Sequence, residues 1–501
     1  MTPIRLVALR TAAFLSGVIV AVGASALDGE PAIHDPSTVI EYGGRFYSFG
    51  TGAGLPFLVS ADGWEWHRGG TLMSAVPGGK PGQAVLDHGG NNTWAPDVIR
   101  IGDKIFVYYA APGTQPRAAI GLLVGHSLDP QSGDYKWEDG GPVVWSDGVE
   151  DSNAIDPGVF LDPADGRLWL TYGSYFGYIR LVELDPKSGK RLHPQRAPVN
   201  IAINSEASVI IRHDDWYYLL VTHGSCCVGA NSTYNIRVGR AHKVAGPYLD
   251  NMGVDMLEGG GKLFAGARGR QIGPGHFGLL DLGDGVQKFS MHYEADLDRG
   301  GGSVLDIRPL WWRDGWPVAG DNFIAGNYVI ESERTGTVLE LAVQGMPVGG
   351  LRPRGPGSAP AAIAPIPDQL TAQVSAGWPG SAIGVRLGPA MLQAQQKWTI
   401  APVASAGGYP GSPFFRICIA GTERALAATA EGELFTVPAF SGAPEQLWRI
   451  DQLANGTYRL MPKSIPGSSR VLALSAVGSS MPTLSKFDPN SERQRWRIQA
   501  P

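Results

Sequence analysis

The sequence predicts an all-β protein made of two successive repeat arrays, and three observations carry that expectation. The 69 Gly and 38 Pro among 501 residues are about a fifth of the chain, against roughly an eighth in average proteins, which leaves little room for long helices. A strand–turn–strand pattern recurs five times up to about residue 325, and a Gln-x-Trp unit recurs three times after it. With 43% hydrophobic, 9% aromatic and only 17% charged residues, the chain has the apolar material for a core and excludes a disordered or coiled-coil protein. A net charge of -5, with no run of Lys or Arg, argues against nucleic acid or an anionic membrane as partner. A neutral ligand and a monomeric chain are expected.

Residues 1–26 read as a secretory signal peptide. Arg5 and Arg10 precede the apolar run from Ala12 to Val22, and Ala24-Ser25-Ala26 supplies small residues for cleavage. The run is shorter than the ~20 residues of a spanning helix, so a secreted or periplasmic location follows. Three cysteines, Cys226, Cys227 and Cys418, cannot staple a chain of this size. The adjacent Cys226 and Cys227 fit either a vicinal bridge or two small buried thiols, without a catalytic role.

Residues 27–325 carry the five repeats. Each begins with an acidic residue or a Gly/Pro-marked turn, then an apolar strand, a tight polar turn and an aromatic-rich strand. The first copy runs from His34-Asp35-Pro36. The others centre on Asp97, Asp156, Glu206 and His276. Gly43-Gly44, Gly102-Asp103 and Asp165-Gly166 supply the hairpin turns. Intervals of 50 to 70 residues between the five anchors suit one four-stranded blade each, and five blades arranged radially form a β-propeller. If each anchor starts the innermost strand of its blade, all five converge on one end of the central channel.

Residues 326–501 carry the second array. Gln396-Lys397-Trp398, Gln446-Leu447-Trp448 and Gln494-Arg495-Trp496 imply three β lobes, opened by Tyr328-Val329-Ile330, Phe415-Arg416-Ile417 and Tyr458-Arg459-Leu460. A Pro/Gly/Ala-rich insertion at about 347–367 reads as an irregular loop in the first lobe.

The anchors define the chemistry. Asp35, Asp156 and Glu206 are carboxylates, and glycosidic bond cleavage needs one carboxylic acid to protonate the leaving oxygen and one carboxylate to activate water or attack carbon. A third carboxylate beside the acid would raise its pKa and orient it. Asp97 is expected instead to cap a turn through its own backbone. His276 follows the tight Gly273-Pro274-Gly275 turn and could cap the site or hold a loosely caged ion such as calcium. Trp94 could stack on a sugar face or belong to the core. Gly50-Thr51-Gly52-Ala53-Gly54 is a turn without a following helix, not a dinucleotide loop. No Gly-x-Ser-x-Gly elbow occurs, and His213, His223 and His242 lack metal-ligand spacing.

Several blocks in order then carry a resemblance: His34-Asp35-Pro36-Ser37, Trp94-Ala95-Pro96-Asp97-Val98, Ser152-Asn153-Ala154-Ile155-Asp156-Pro157, Gly173-Ser174-Tyr175, Ser205-Glu206-Ala207, Asn231-Ser232-Thr233-Tyr234 with Val238-Gly239-Arg240, Gly273-Pro274-Gly275-His276, and Asp314-Gly315-Trp316-Pro317. Over about 300 residues the chain resembles glycoside hydrolase family 43, within it the endo-1,5-α-L-arabinanases. The resemblance implies an inverting enzyme acting on arabinan or arabino-oligosaccharides. It makes Asp35 the general base, Glu206 the general acid and Asp156 the residue that tunes the acid, with base and acid roughly 6.5 to 9.5 Å apart. Substrate contacts are expected from His34, Trp94, Asn153 and Ser174, and a calcium ion near His276. Phe277-Gly278 after the turn, and Tyr178 in place of a second glycine in Ser174-Tyr175-Phe176-Gly177-Tyr178, depart from the pattern and keep exo action, or a xylosidase, as alternatives. A non-catalytic glycan-binding protein is the rival of another class, disfavoured by the intact carboxylate trio. The Gln-x-Trp array resembles ricin-type β-trefoils of carbohydrate-binding module family 13.

Overall fold

A computed structural model describes residues 27–149, 152–343 and 377–501. The segment read as a signal peptide and the 347–367 insertion lie outside the described residues. Among those residues the sole α-helix is the single turn Gln83–Leu86, and no helix is long and apolar enough to cross a membrane.

The five repeats form five blades. In the first, Ile40–Tyr42, Arg45–Phe49, Pro56–Ser60 and Glu65–Thr71 pair in sequence order. Asp28–Gly29 adds to its outer edge in parallel with Glu65–Thr71. The second blade spans Trp94–Ile101 to Trp137–Ser146, the third Gly158–Leu161 to Val199–Ile203, the fourth Glu206–His213 to Lys262–Ala265, and the fifth Ile272–Asp281 to Trp316–Ala319. Alternating apolar residues pack between adjacent blades: Tyr47, Val107 and Leu123 between the first and second, Tyr108, Leu122 and Leu170 between the second and third. The ring closes where Ile33 N donates to Ser303 O at 3.1 Å and Leu305 N to Pro31 O at 2.8 Å.

One device repeats at the start of every blade. Asp35, Ala95, Asp156, Ala207 and His276 all have left-handed backbone, with φ of 50, 40, 55, 50 and 55°. A left-handed non-glycine residue costs on the order of 1 kcal/mol or more and persists only where its surroundings hold it. Neighbouring blades hold four of them. Asp35 N donates to His292 Nδ1 at 3.1 Å, Ala95 N to Thr51 Oγ1 at 2.8 Å, Ala207 N to Asp156 Oδ2 at 3.2 Å and His276 N to Thr222 Oγ1 at 3.1 Å. The structural repeat therefore runs through 35, 95, 156, 207 and 276, so Asp97 and Glu206 flank the equivalent positions rather than occupy them.

Asp97 does not act only on its own turn. Its buried carboxylate accepts Thr38 N of the first blade at 3.1 Å and Val159 N of the third at 2.9 Å. It is a clamp across three blades, because innermost strands lie too close for water to satisfy those donors.

The second array follows from Gly326–Ser332. Its three Trp indoles are fully buried and equivalent: Trp398, Trp448 and Trp496 donate to the carbonyls of Leu339, Leu426 and Leu474 at 2.8, 3.2 and 2.9 Å. Each Gln ends a short 3-10 turn and accepts a backbone N–H through Oε1, from Met391, Ser441 and Asp488. The Gln-x-Trp unit is thus a core-building device. This domain meets the first and fifth blades: Gly411 N donates to Gly63 O at 3.0 Å, Ala454 N to Gly285 O at 2.8 Å, and buried Lys288 to Pro410 O. These turns lie at the end of the propeller opposite to Asp35 and His276: Gly285 follows the far end of the strand that carries His276, and Gly63 follows Pro56–Ser60 at the same end as the Gly43-Gly44 turn.

Replacing Asp97 with Ala leaves two buried N–H groups unpaired, and chemical denaturation should show a loss of about 3 kcal/mol. A loss below about 1 kcal/mol would mean that the clamp is not needed.

Candidate active site

The shared backbone geometry brings Asp35, Asp156, Glu206 and His276 to one end of the axis. Asp35 follows the segment that closes the ring, Asp156 immediately precedes Gly158–Leu161, Glu206 opens its strand, and His276 sits at a register shift within Ile272–Asp281. Their side chains form one buried cluster.

Asp35 is surrounded by imidazoles. Its Oδ1 lies 3.0 Å from His276 Nδ1, 3.3 Å from His34 Nε2 and 3.8 Å from His292 Nδ1, while Oδ2 accepts Thr51 Oγ1 at 2.6 Å. Burial alone would raise its pKa, but the positive charge of His276, aided by His34, holds it well below the usual carboxylate range. His276 is affected reciprocally: burial opposes its charge, yet Asp35, with Asp156 and Glu206, pushes it up to about 9. His292 is fully enclosed, and burial pushes it down to about 3, so its neutral Nδ1 can accept from Asp35 N.

Asp156 and Glu206 behave in the opposite sense. Burial raises Asp156, and the charge of Glu206 raises it further, despite the Ala207 N–H. Burial likewise raises Glu206, only partly countered by the hydroxyl of Tyr234, which donates to its Oε1. The pair therefore holds a proton above the ordinary carboxylate range, and because the two sites interact, that proton belongs to both. The site thus contains one stable carboxylate and one retained proton.

The remaining predicted residues divide. His34 is in the site: it stacks on His292 with centroids 4.7 Å apart, and its Nδ1 lies 2.8 Å from Ser303 Oγ. That hydroxyl donates to Glu294 at 3.0 Å, so His34 Nδ1 carries a proton and Nε2 faces Asp35. Asn153 and Ser174 are joined, Nδ2 to Oγ at 2.9 Å, and Asn153 also donates to Gln115 at 2.5 Å. Both are buried, and together they tie the third blade to Gln115 of the second. Trp94 is half-buried and packs against the apolar cluster between the second and third blades.

Three contributors were missed from the sequence. Thr51 lies in a segment dismissed as a turn, yet it bonds both Asp35 and Ala95 N. Tyr234 lay inside a quoted block without an assigned task. His292, in a second strand, carried no signal beyond its place in the repeat. The two adjacent cysteines, for their part, are not buried thiols: Cys226 and Cys227 are joined by a disulfide, and Cys227 is exposed.

Residues 31–317 match the Glycosyl hydrolases family 43. An extracellular exo-α-(1→5)-L-arabinofuranosidase of Cellvibrio japonicus is 32% identical over 301 residues, covering 57% of this chain and 85% of that protein. Extracellular endo-α-(1→5)-L-arabinanase 1 of Bacillus subtilis is 34% identical over 296 residues, covering 57% of this chain and 87% of that protein. Among solved structures, an exo-1,5-α-L-arabinanase from a bovine ruminal metagenomic library superposes with a TM-score of 0.53 at 36% identity, covering 58% of this chain and 97% of that one. The matched span contains all five blades' anchors and ends within the last blade strand, so the chain belongs to glycosyl hydrolases family 43, and its propeller is a glycoside hydrolase.

Proposed function

We propose that the propeller hydrolyses α-1,5-linked L-arabinofuranosyl bonds of arabinan outside the cytoplasm, by single displacement with inversion. The observation that carries this reading is the division of protonation inside one buried cluster: an anion at Asp35 and a retained proton on Asp156 and Glu206. The named activities and extracellular designation of the relatives supply the substrate and location.

In this mechanism a water oxygen attacks the anomeric carbon while Asp35 takes one of its protons. The bond from that carbon to the glycosidic oxygen breaks, and Glu206 delivers its proton to the departing oxygen. Asp156 acts on Glu206: the two share the retained proton, and its carboxylate accepts Ala207 N, fixing the backbone next to the acid. Tyr234 orients the Glu206 carboxyl. His34 and Thr51 keep Asp35 in place. Endo action is the principal reading. Exo action is favoured by one feature, the Tyr175 hydroxyl donating to Gly224 O at 2.8 Å, which ties the rims of the third and fourth blades together.

His276 also suits a calcium ion. Its Nε2 is buried without a hydrogen-bond partner among the described residues, beside three carboxylates; in its neutral form it would be the one nitrogen donor to an ion whose other ligands are oxygens, water among them. Bound there, calcium would supply fixed positive charge to the cluster. The second domain is read as a β-trefoil module, on the equivalence of its three Gln-x-Trp units.

Glu206→Ala should lower kcat on unactivated arabino-oligosaccharides by about 10²–10⁴-fold with an unchanged unfolding midpoint; near-normal turnover would remove Glu206 from the reaction. A chromatographic time course on linear arabinan distinguishes early mixed oligomers, the endo outcome, from a single product length, the exo outcome.

Glu206 is active when protonated, so activity falls as pH rises through its raised pKa. Asp156→Asn removes the carboxylate repulsion that makes the pair keep its shared proton, and should therefore move the alkaline limb of kcat/KM to lower pH. An unmoved limb would contradict the tuning role.

Calcium should raise the Tm of the wild-type protein and leave that of His276→Ala unchanged. An identical response of both proteins would exclude His276 as its holder.

A further inference from the structure

The Cys226–Cys227 disulfide joins adjacent residues, with Cα atoms 3.8 Å apart. Disulfide stabilisation of a fold grows with the length of chain enclosed, and a bond between neighbours encloses almost none. Stapling the propeller is therefore not its task, and its position indicates another.

The pair sits in the loop between strands Trp216–His223 and Asn235–Ala241, at the end of the propeller that holds Asp35. The base of this loop is ordered. Ser225 N donates to Thr233 Oγ1 and Thr233 N to Ser225 O, both at 3.0 Å, and Ala230 N donates to Gly300 O of the fifth blade at 2.8 Å. Cys227 Sγ lies 3.6 Å from His34 Nε2, the same nitrogen that lies 3.3 Å from Asp35 Oδ1. One side chain thus separates the disulfide from the proposed base.

The rim around the pair is open and carries exposed apolar side chains. Val228 is 52% exposed and Phe176, on the adjoining rim, 53%. Tyr175, next to Phe176, binds Gly224 O and locks the two rims together. Clustered exposed apolar groups mark a binding surface. A furanose ring presents hydroxyls on its edges and C–H groups on its faces. A disulfide is polarizable, carries no hydrogen-bond donor, and suits a C–H face.

We propose that the Cys226–Cys227 disulfide is a substrate-contact surface that receives the apolar face of an arabinofuranosyl unit beside the scissile bond. This rests on the arabinan reading given above. Breaking the bond would replace a fixed wall by two rotating thiols.

The test compares kcat and KM on linear arabinan for the full-length wild type and the Cys226→Ser/Cys227→Ser double variant. A second arm reduces the wild type with a water-soluble phosphine. Each disulfide gains two electrons and two protons, and the phosphine leaves as its oxide with oxygen from water. The expected result is a KM raised about tenfold in both arms, the scale of a lost apolar substrate contact. kcat should stay within about threefold, the pH profile should be unchanged, and reoxidation of the reduced wild type should restore KM. An unchanged KM in a folded double variant overturns the proposal; if the variant fails to fold, an unchanged KM in the reduced wild type does so. A fall in kcat without a change in KM also overturns it, assigning the loop a structural role. Absence of arabinan turnover by untreated wild type would instead refute the arabinan reading, and this proposal with it.

Discussion

The site depends on a backbone constraint repeated around the ring: a left-handed residue at the start of each blade, whose N–H in four of the five donates to a side chain of the preceding blade. A left-handed residue turns the chain sharply and aims its own side chain, or its neighbour's, toward the axis. The acceptor on the preceding blade offsets the conformational cost. Three of the acceptors are themselves in the site, since His292 and Thr51 also lie against the Asp35 carboxylate and Asp156 belongs to the carboxylate cluster. Blade assembly and construction of the site are therefore the same event.

The same closeness creates the electrostatic division. Three carboxylates and His276 buried together cannot all carry charge independently. Asp35 is nearest to the imidazoles and stays ionised, whereas Asp156 and Glu206, nearer to each other, retain a proton. Thr51 and Tyr234 add directional bonds, one to each side of the division. A hydrolase requires this asymmetry, and here it arises from which blade each group starts rather than from differences in the carboxyl groups.

The second domain touches the distal turns of the first and fifth blades, including Gly63 and Gly285. The opposite end, with Asp35, Glu206 and the Cys226–Cys227 loop, carries none of these contacts. Buried Lys288, donating to Pro410 O and lying 5.1 Å from the Tyr409 ring centroid, makes this junction specific, because removing one partner of a buried cation is costly. The described residues of the domain that meet the propeller through these bonds do so at its distal end.

Much of this architecture was legible in the chain. Turn glycines, alternating apolar strands and the two repeat lengths are local properties, and they determined the all-β class, the five blades and the three Gln-x-Trp units. Asp35, Asp156 and Glu206 could be picked out because the first two stand at the repeated position and Glu206 directly adjoins it, each with a chemistry of its own. Asp97 looked like a local cap because its true partners, Thr38 and Val159, lie in other blades and leave no mark near it. Thr51, Tyr234 and His292 were hidden for the same reason: a hydroxyl or imidazole gains its role from what faces it across tens to hundreds of residues. The sequence by itself determined which groups are available and how often the pattern repeats. Only the tertiary structure decided which carboxylate keeps its charge and which pair keeps a proton, because burial and Coulombic interaction depend on distances that no local pattern encodes.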